Sequence, residues 1–257
     1  MRRYWMPAES FLSAQEIQFH GDLFHHIFDV CRQEVGSHFE VLGDQNKAHL
    51  VEVVSMTKKS ATAKIKDTRI LPALPKPRLV LALSLSRYST MDAVVEKAVE
   101  MGVSKLQPFY SDFSFIRKKD SLPASKQERW NKIVISATQQ TGRGDLMKIA
   151  DPVELKDLKS QVNQNPRAKG LFAYEGEAAL GIKDCLQSLK ADKAENFEEF
   201  WVFVGSEGGF SQTEVQLFKE WGLESTTLGD QVLRVETACI ALLAILKYEF
   251  GHMSAKV

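Results

Sequence analysis

Cysteine is scarce in this chain: Cys31, Cys185 and Cys239 are all it has in 257 residues. Their odd number, wide scatter and lack of C-x-x-C spacing argue against a disulfide framework or a structural zinc site and predict buried, reduced thiols. Long apolar runs are missing too. The nearly all-apolar stretch Ala238–Leu246 is too short to span a bilayer. The opening Met1-Arg-Arg-Tyr-Trp-Met-Pro has no secretory apolar segment, so a cytoplasmic protein without membrane association is expected. Internal repeats and low-complexity tracts are absent. His25 and His26 invite a metal reading, but adjacent helical residues point about a hundred degrees apart, and no Cys or carboxylate cluster completes a site. They read as structural or partner-facing, and no metal is expected.

Net charge is also lacking, with 33 Lys+Arg against 33 Asp+Glu, yet the balance is uneven along the chain. Residues 1–75 carry 9 basic and 9 acidic side chains, residues 76–150 carry 13 and 7, and residues 151–257 carry 11 and 17. Only the middle third is basic. There Arg117-Lys118-Lys119 lies beside Phe113 and Phe115 on an expected loop, a pairing of charge and aromatics that suits RNA phosphates and bases as well as a plain solvated surface.

What is present suits one sizeable domain plus a smaller one, with 44% hydrophobic content. Phe39–Leu42, Leu50–Val54 and Ala61–Ile65 are short alternating segments between polar turns, the signature of strands in a small β-rich domain. Leu71-Pro-Ala-Leu-Pro-Lys-Pro77 disfavours helix and acts as a stiff linker. Beyond it, expected strands (Arg78–Leu85, Leu106–Tyr110, Leu171–Tyr174, Phe200–Val204) alternate with expected helices. Thr90–Met101 is one; Lys126–Thr141 is another, with Trp130, Ile133, Val134 and Ala137 on one face. That alternation predicts an α/β domain with a mainly parallel sheet.

Two loops stand out. Val202-Phe-Val-Gly-Ser-Glu-Gly-Gly-Phe210 leaves a strand, and Ser211 with Glu214 forms a capping box for a helix whose stripe is Val215, Leu217, Phe218 and Trp221. Gly205, Gly208 and Gly209 let backbone approach a ligand closely, or simply satisfy a tight turn. The spacing fails the three-glycine dinucleotide fingerprint, although Asp230 falls where a ribose carboxylate would stand. The second loop, Leu228-Gly-Asp-Gln-Val-Leu-Arg-Val-Glu-Thr-Ala238, places Arg234, Glu236 and Thr237 at the entrance of an apolar helix suited to a core or a subunit interface. Two loops at one sheet edge form a ligand crevice.

These two segments resemble the cofactor-binding signature of the RsmE family, SPOUT-class methyltransferases acting on N3 of a uridine in 16S ribosomal RNA. Similar family patterns appear in His25-His26-Ile-Phe-Asp-Val-Cys-Arg32 with Val35-Gly36, in Met91–Gly102 and in Thr138-Gln-Gln-Thr-Gly-Arg143, so the likeness covers nearly the whole chain. It implies a PUA-like β-barrel over residues 1–72 that contacts RNA. It also implies a SPOUT methyltransferase domain over residues 73–257 with a C-terminal trefoil knot, S-adenosyl-L-methionine as cofactor, 16S rRNA or the small ribosomal subunit as partner, and a homodimer. Departures are Ser206 where proline is usual, expected to loosen the first loop, Gln231 in place of a basic residue, and Gln139-Gln140 in place of Glu-Gln. A non-catalytic RNA-binding protein on the same scaffold stays open, as does ribose 2′-hydroxyl methylation, whose usual Ser-Leu-Asn-Val-Ser ending is replaced by Leu233-Arg-Val-Glu-Thr-Ala238.

Uracil N3 is a good nucleophile only without its proton, so a base or an anion-stabilising group is needed. Arg234 is the expected oxyanion stabiliser, with Glu207 or Glu236 as proton acceptor or as partner to that arginine; a structural Arg234–Glu236 ion pair is the alternative. The expected cofactor contacts are Phe172, Tyr174, Val204, Gly205, Ser206, Glu207, Gly208, Gly209, Leu228, Gly229, Val232, Leu233, Arg234 and Thr237. The expected RNA contacts are Arg2, Arg3, Arg32, Arg87, Arg117, Lys118, Lys119 and Arg143.

Overall fold

A computed structural model describes residues 1–43, 46–116, 122–176, 180–191 and 197–254. The chain divides into two compact units, Met1–Ala73 with Ile135–Leu146, and Leu74–Val134 with Met147–Val257.

The first unit is built on β1 (Arg3–Trp5), β2 (Glu16–His20), β3 (His38–Gly43), β4 (Lys47–Met56) and β5 (Ser60–Ile70) in the order β1-β3-β4-β5-β2. Only the β1–β3 pairing is parallel. Alternation sends Phe39, Val41, Val51, Val53, Ala61 and Ala63 inward, where they pack with Ile17 and Phe19. Helix α1 (Gly21–Phe24) runs into a π-helical stretch, His25–Val30; the first adds Phe24 to this core and the second adds Ile27 and Phe28. His25 bonds to Asp29 at 2.8 Å, and the His26 ring sits edge-on to Tyr4. A second cluster joins Trp5, Leu42, Ala48 and Leu71 to Ile135 and Leu146, which is why residues 135–146 belong to this unit.

The second unit holds an all-parallel sheet of β6 (Arg78–Ser84), β7 (Lys105–Tyr110), β8 (Lys148–Ile149), β10 (Ala168–Ala173), β11 (Leu180–Gly181), β12 (Glu199–Val204) and β13 (Glu224–Thr227), with β9 (Val153–Glu154) pairing β7. The order is β11-β13-β10-β12-β6-β7-β8. β6, β7 and β12 are buried at nearly every residue, as expected of strands covered on both faces. The helices are α2 (Tyr88–Glu100), α3 (Ala124–Thr141, whose last turns fall in the first unit), α4 (Leu155–Asn163), α5 (Ile182–Ala191), α6 (Gln212–Glu220) and α7 (Val235–Glu249). One face of the sheet closes over packed aromatics: Phe172 stacks against Phe218 at 4.9 Å, and Phe210 meets Phe218 edge to face at 4.9 Å. Because the strands are parallel, β12, β10 and β13 deliver Val204, Ala173 and Thr227 to one edge.

Candidate active site

The first loop is closed by its own backbone. The Gly209 N–H donates to the Ser206 carbonyl at 2.9 Å, and Gly209 has φ +69°, a left-handed conformation natural to glycine. A Cβ on Gly205 would stand 2.9 Å from the backbone of Gly209, and one on Gly208 would stand 2.8 Å from Cβ of Phe113. Two of these glycines are therefore required by loop closure and by the neighbouring segment, which favours the turn reading for them. Ser206 is buried, and its hydroxyl donates to the Phe113 carbonyl at 2.6 Å. A side chain expected to loosen the loop instead tethers it.

The capping box forms as expected: Ser211 Oγ accepts from the Glu214 N–H, and Glu214 accepts from the Ser211 N–H. Glu214 also accepts from the Asp112 N–H at 2.9 Å, and its burial pushes its carboxyl above the usual range. Glu207 points elsewhere. Its Oε1 accepts from the Arg87 N–H at 3.2 Å and the Thr90 hydroxyl at 3.1 Å, placing a carboxylate at the positive end of α2.

The second loop leaves β13 through Thr227, whose hydroxyl donates to the Gly229 carbonyl at 3.0 Å, while Gly229 takes φ +114°. Arg234 is the N-cap of α7 in extended geometry. Among the described residues neither its guanidinium nor the Glu236 carboxylate is engaged by a hydrogen bond or an ion pair, so the alternative of a structural Arg234–Glu236 pair is not what forms. α7 buries Val235, Cys239, Leu242, Leu243 and Leu246 but leaves Ile240 and Tyr248 exposed.

Two cavities open at this edge. One of about 630 Å³ is walled by Arg87, Thr90, Glu175, Glu207, Arg234 and Glu236 over the turn of the first loop. The second, about 420 Å³, lies along the Thr226–Leu233 loop beside Tyr174. They share Ala173, Glu175, Val232, Leu233 and Ala238. Both fall in the size range of ligand sites.

Of the expected cofactor contacts, Val204, Gly205, Ser206, Glu207, Gly209, Val232, Leu233 and Arg234 reach the first cavity, and Tyr174, Leu228 and Gly229 the second. Gly208 and Thr237 line neither. Phe172 corrects the sequence reading: it is fully buried in the aromatic core, because the strand turns that side chain away from the edge. Glu175 and Thr90 were not anticipated. Thr90 stands in the first turn of α2, three residues after the N-cap Arg87, and its partner Glu207 lies far away in sequence; Glu175 has no local signature.

The expected RNA contacts are dispersed. Arg87 lines the first cavity rather than a separate surface. Arg2 donates to the Cys31 carbonyl at 2.9 Å, and Arg32 is exposed with φ 56°. Two others are committed within the first unit. Arg3 is paired with Glu40 at 3.0 Å and donates to the Gln140 carbonyl. Arg143 is 9% exposed and paired with Asp145 at 2.9 Å. Arg117, Lys118 and Lys119 lie outside the described residues. Among the described residues no group of three or more His, Cys, Asp and Glu is placed to hold a metal, and no helix is long and apolar enough to cross a membrane.

Comparison with known proteins gives this geometry a context. A family described as an RNA methyltransferase domain matches residues 73–247, and one described as an RNA methyltransferase PUA domain matches residues 19–66. The chain is 32% identical over 200 residues to ribosomal RNA small subunit methyltransferase E of Mesomycoplasma hyopneumoniae, covering 77% of this chain and 81% of that one. It is 31% identical over 227 residues to the protein of that name from Aquifex aeolicus, covering 88% and 91%. Its fold is similar to a crystal structure of the Neisseria gonorrhoeae ribosomal RNA small subunit methyltransferase E bound to S-adenosyl methionine, with a TM-score of 0.81 and 25% identity over 96% of this chain and 97% of that one.

Proposed function

The chain belongs to the RNA methyltransferase family of the ribosomal RNA small subunit methyltransferases E, and from that premise we propose that it methylates N3 of a uridine in 16S rRNA, using S-adenosylmethionine. The observation that carries this reading is the convergence of Arg234, Glu236, Glu207 and Arg87 on a cavity that runs into a second one along the Thr226–Leu233 loop. The residues present fit the cofactor. The Leu228–Leu233 loop offers amides, carbonyls and Leu side chains to an adenine, and the adjoining cavity offers charged groups to the reacting end.

When bound, S-adenosylmethionine supplies a methyl group on a sulfonium. The chain's own residues then do three things. The loops fix the donor so that uracil N3 meets the methyl carbon in line, which supplies rate through positioning. The unengaged guanidinium of Arg234 stabilises the oxyanion that develops on the uracil as N3 loses its proton. Glu236 takes that proton, because Glu207 is already occupied at the N-terminus of α2 and serves to lock the first loop against that helix.

The reading extends to the partners. The PUA domain and the exposed Arg2 and Arg32 contact rRNA, and the C-terminal crossover is the trefoil knot of the class. Two copies pair through the α7 face bearing Ile240 and Tyr248, which are exposed and eight residues apart on one side of the helix. The cytoplasm, where subunits assemble, is its proposed location.

The test is transfer from labelled S-adenosylmethionine to small subunits lacking the modification, followed by nucleoside digestion and mass spectrometry. 3-Methyluridine is the expected product. A 2′-O-methylated nucleoside would replace the reaction proposed, and cofactor-free RNA binding without transfer would make the protein a binding module.

A further inference from the structure

Glu175 has no part in the chemistry above, yet its position is the most central in the site. β10 lies between β12 and β13, so the residues that follow it are flanked by the first loop on one side and the second loop on the other. Glu175 stands two residues past the end of β10 and lines both cavities. Its Oε1 lies 2.9 Å from where a Cβ of Gly209 would be, so the missing side chain at Gly209 is what admits the carboxylate. Among the described residues no hydrogen bond or ion pair engages it.

A carboxylate offers acceptors and no donors, so its partner must bring donors. Within S-adenosylmethionine the ribose, with two vicinal hydroxyls, joins the adenine to the sulfonium. With adenine along the Leu228–Leu233 loop and the reacting end beside Arg234 and Glu236, the ribose crosses the boundary that Glu175 occupies. We propose that Glu175 recognises the ribose, accepting hydrogen bonds from both hydroxyls. Asp230, placed by spacing where a ribose carboxylate would stand, lines only the second cavity. This assignment rests on the methyltransferase reading.

Calorimetry on the full chain and on Glu175→Ala tests it, with three probes: S-adenosylhomocysteine, its 2′,3′-dideoxy analogue, and 5′-methylthioadenosine, which keeps the ribose and lacks the amino-acid chain. Loss of charge-assisted hydrogen bonds should weaken S-adenosylhomocysteine and methylthioadenosine alike by about 10- to 100-fold. The dideoxy analogue should bind both proteins equally, and Glu175→Gln, which keeps one acceptor, should fall between. Weakening confined to S-adenosylhomocysteine would assign the carboxylate to the ammonium group and overturn the proposal, as would equal affinities throughout. Failure of the unaltered protein to bind S-adenosylhomocysteine would instead strike the methyltransferase reading.

Discussion

Ser206→Ala removes one hydroxyl, and the structure fixes what that should do. The lost bond, 2.6 Å from Oγ to the Phe113 carbonyl, is made by a buried serine, and deleting it leaves a carbonyl without its donor. Such losses range over about 1–3 kcal/mol. The bond is part-buried and Phe113 is 44% exposed, so the lower end, about 1 kcal/mol, applies here. For a chain of this size that lowers Tm by about 2–4 °C. The same energy holds the first loop against residues 111–116, so a loosened loop is competent for the cofactor only part of the time. Apparent Kd for S-adenosylmethionine should rise up to about fivefold. At saturating cofactor the loop is reordered by binding, and kcat should change little. Ser206→Pro, which restrains the backbone without the hydrogen bond, should recover much of the affinity. Calorimetry paired with thermal unfolding measures both quantities. A Ser206→Ala protein with unchanged Tm and unchanged Kd would refute the tether.

Other expectations follow from the same geometry. Arg234→Ala should lower single-turnover methyl transfer by about 10²- to 10³-fold, the effect of losing one oxyanion-stabilising donor, while leaving cofactor affinity nearly intact; equal turnover would remove Arg234 from the mechanism. Glu40 is held below the usual carboxylate range by the Arg69 hydrogen bond, with Arg3 acting the same way. Because its folded value is depressed, the stabilisation is present above the ordinary glutamate value of about 4.3 and is lost as pH falls through the folded value. Glu40→Gln should therefore lower Tm at neutral pH and flatten the acid limb, and parallel acid limbs in the two proteins would contradict this. Burial pushes the Cys185 thiol up to about 11 and raises that of Cys239 as well, so both stay neutral near pH 8. Ellman's reagent should find one fast thiol, the half-buried Cys31, until denaturant is added; two or more fast thiols in the native protein would show that the cores around α5 and α7 open.

Local pattern carried the elements whose physics is local. The Ser211–Glu214 box marks a helix start because a hydroxyl and a carboxylate three residues apart satisfy each other's backbone donors. The strands at Phe39, Ala61, Arg78 and Phe200 stand where apolar residues alternate or run together. β4 is longer than the segment its alternation announces, because register shifts at Leu50/Val51 and Val53/Ser55 break the period of two. α4 escaped notice although Leu155, Leu158 and Val162 form its buried stripe, since a nine-residue helix shows barely two turns of it. Residues 135–146 join the first unit through Ile135 and Leu146, and two apolar side chains late in a helix carry no mark of which core they enter.

The site divides along the same line. Its glycines, Arg234 and Glu236 were visible because they crowd two short loops. Their roles were less so: Gly205 is demanded by Gly209 and Gly208 by Phe113, contacts whose sterics no spacing reveals. Arg87 was visible as a charge and not as a wall of the cavity, because it meets Glu207 across 120 residues of chain. Phe172 and Glu175 show what decides such cases. Both sit near the end of β10; the first faces the aromatic core and the second, past the last ladder pair, stands between the two loops. Only the order β13-β10-β12 makes that difference, and strand order is a property of long-range pairing. A carboxylate at the end of a central strand is therefore silent in the sequence and prominent in the fold.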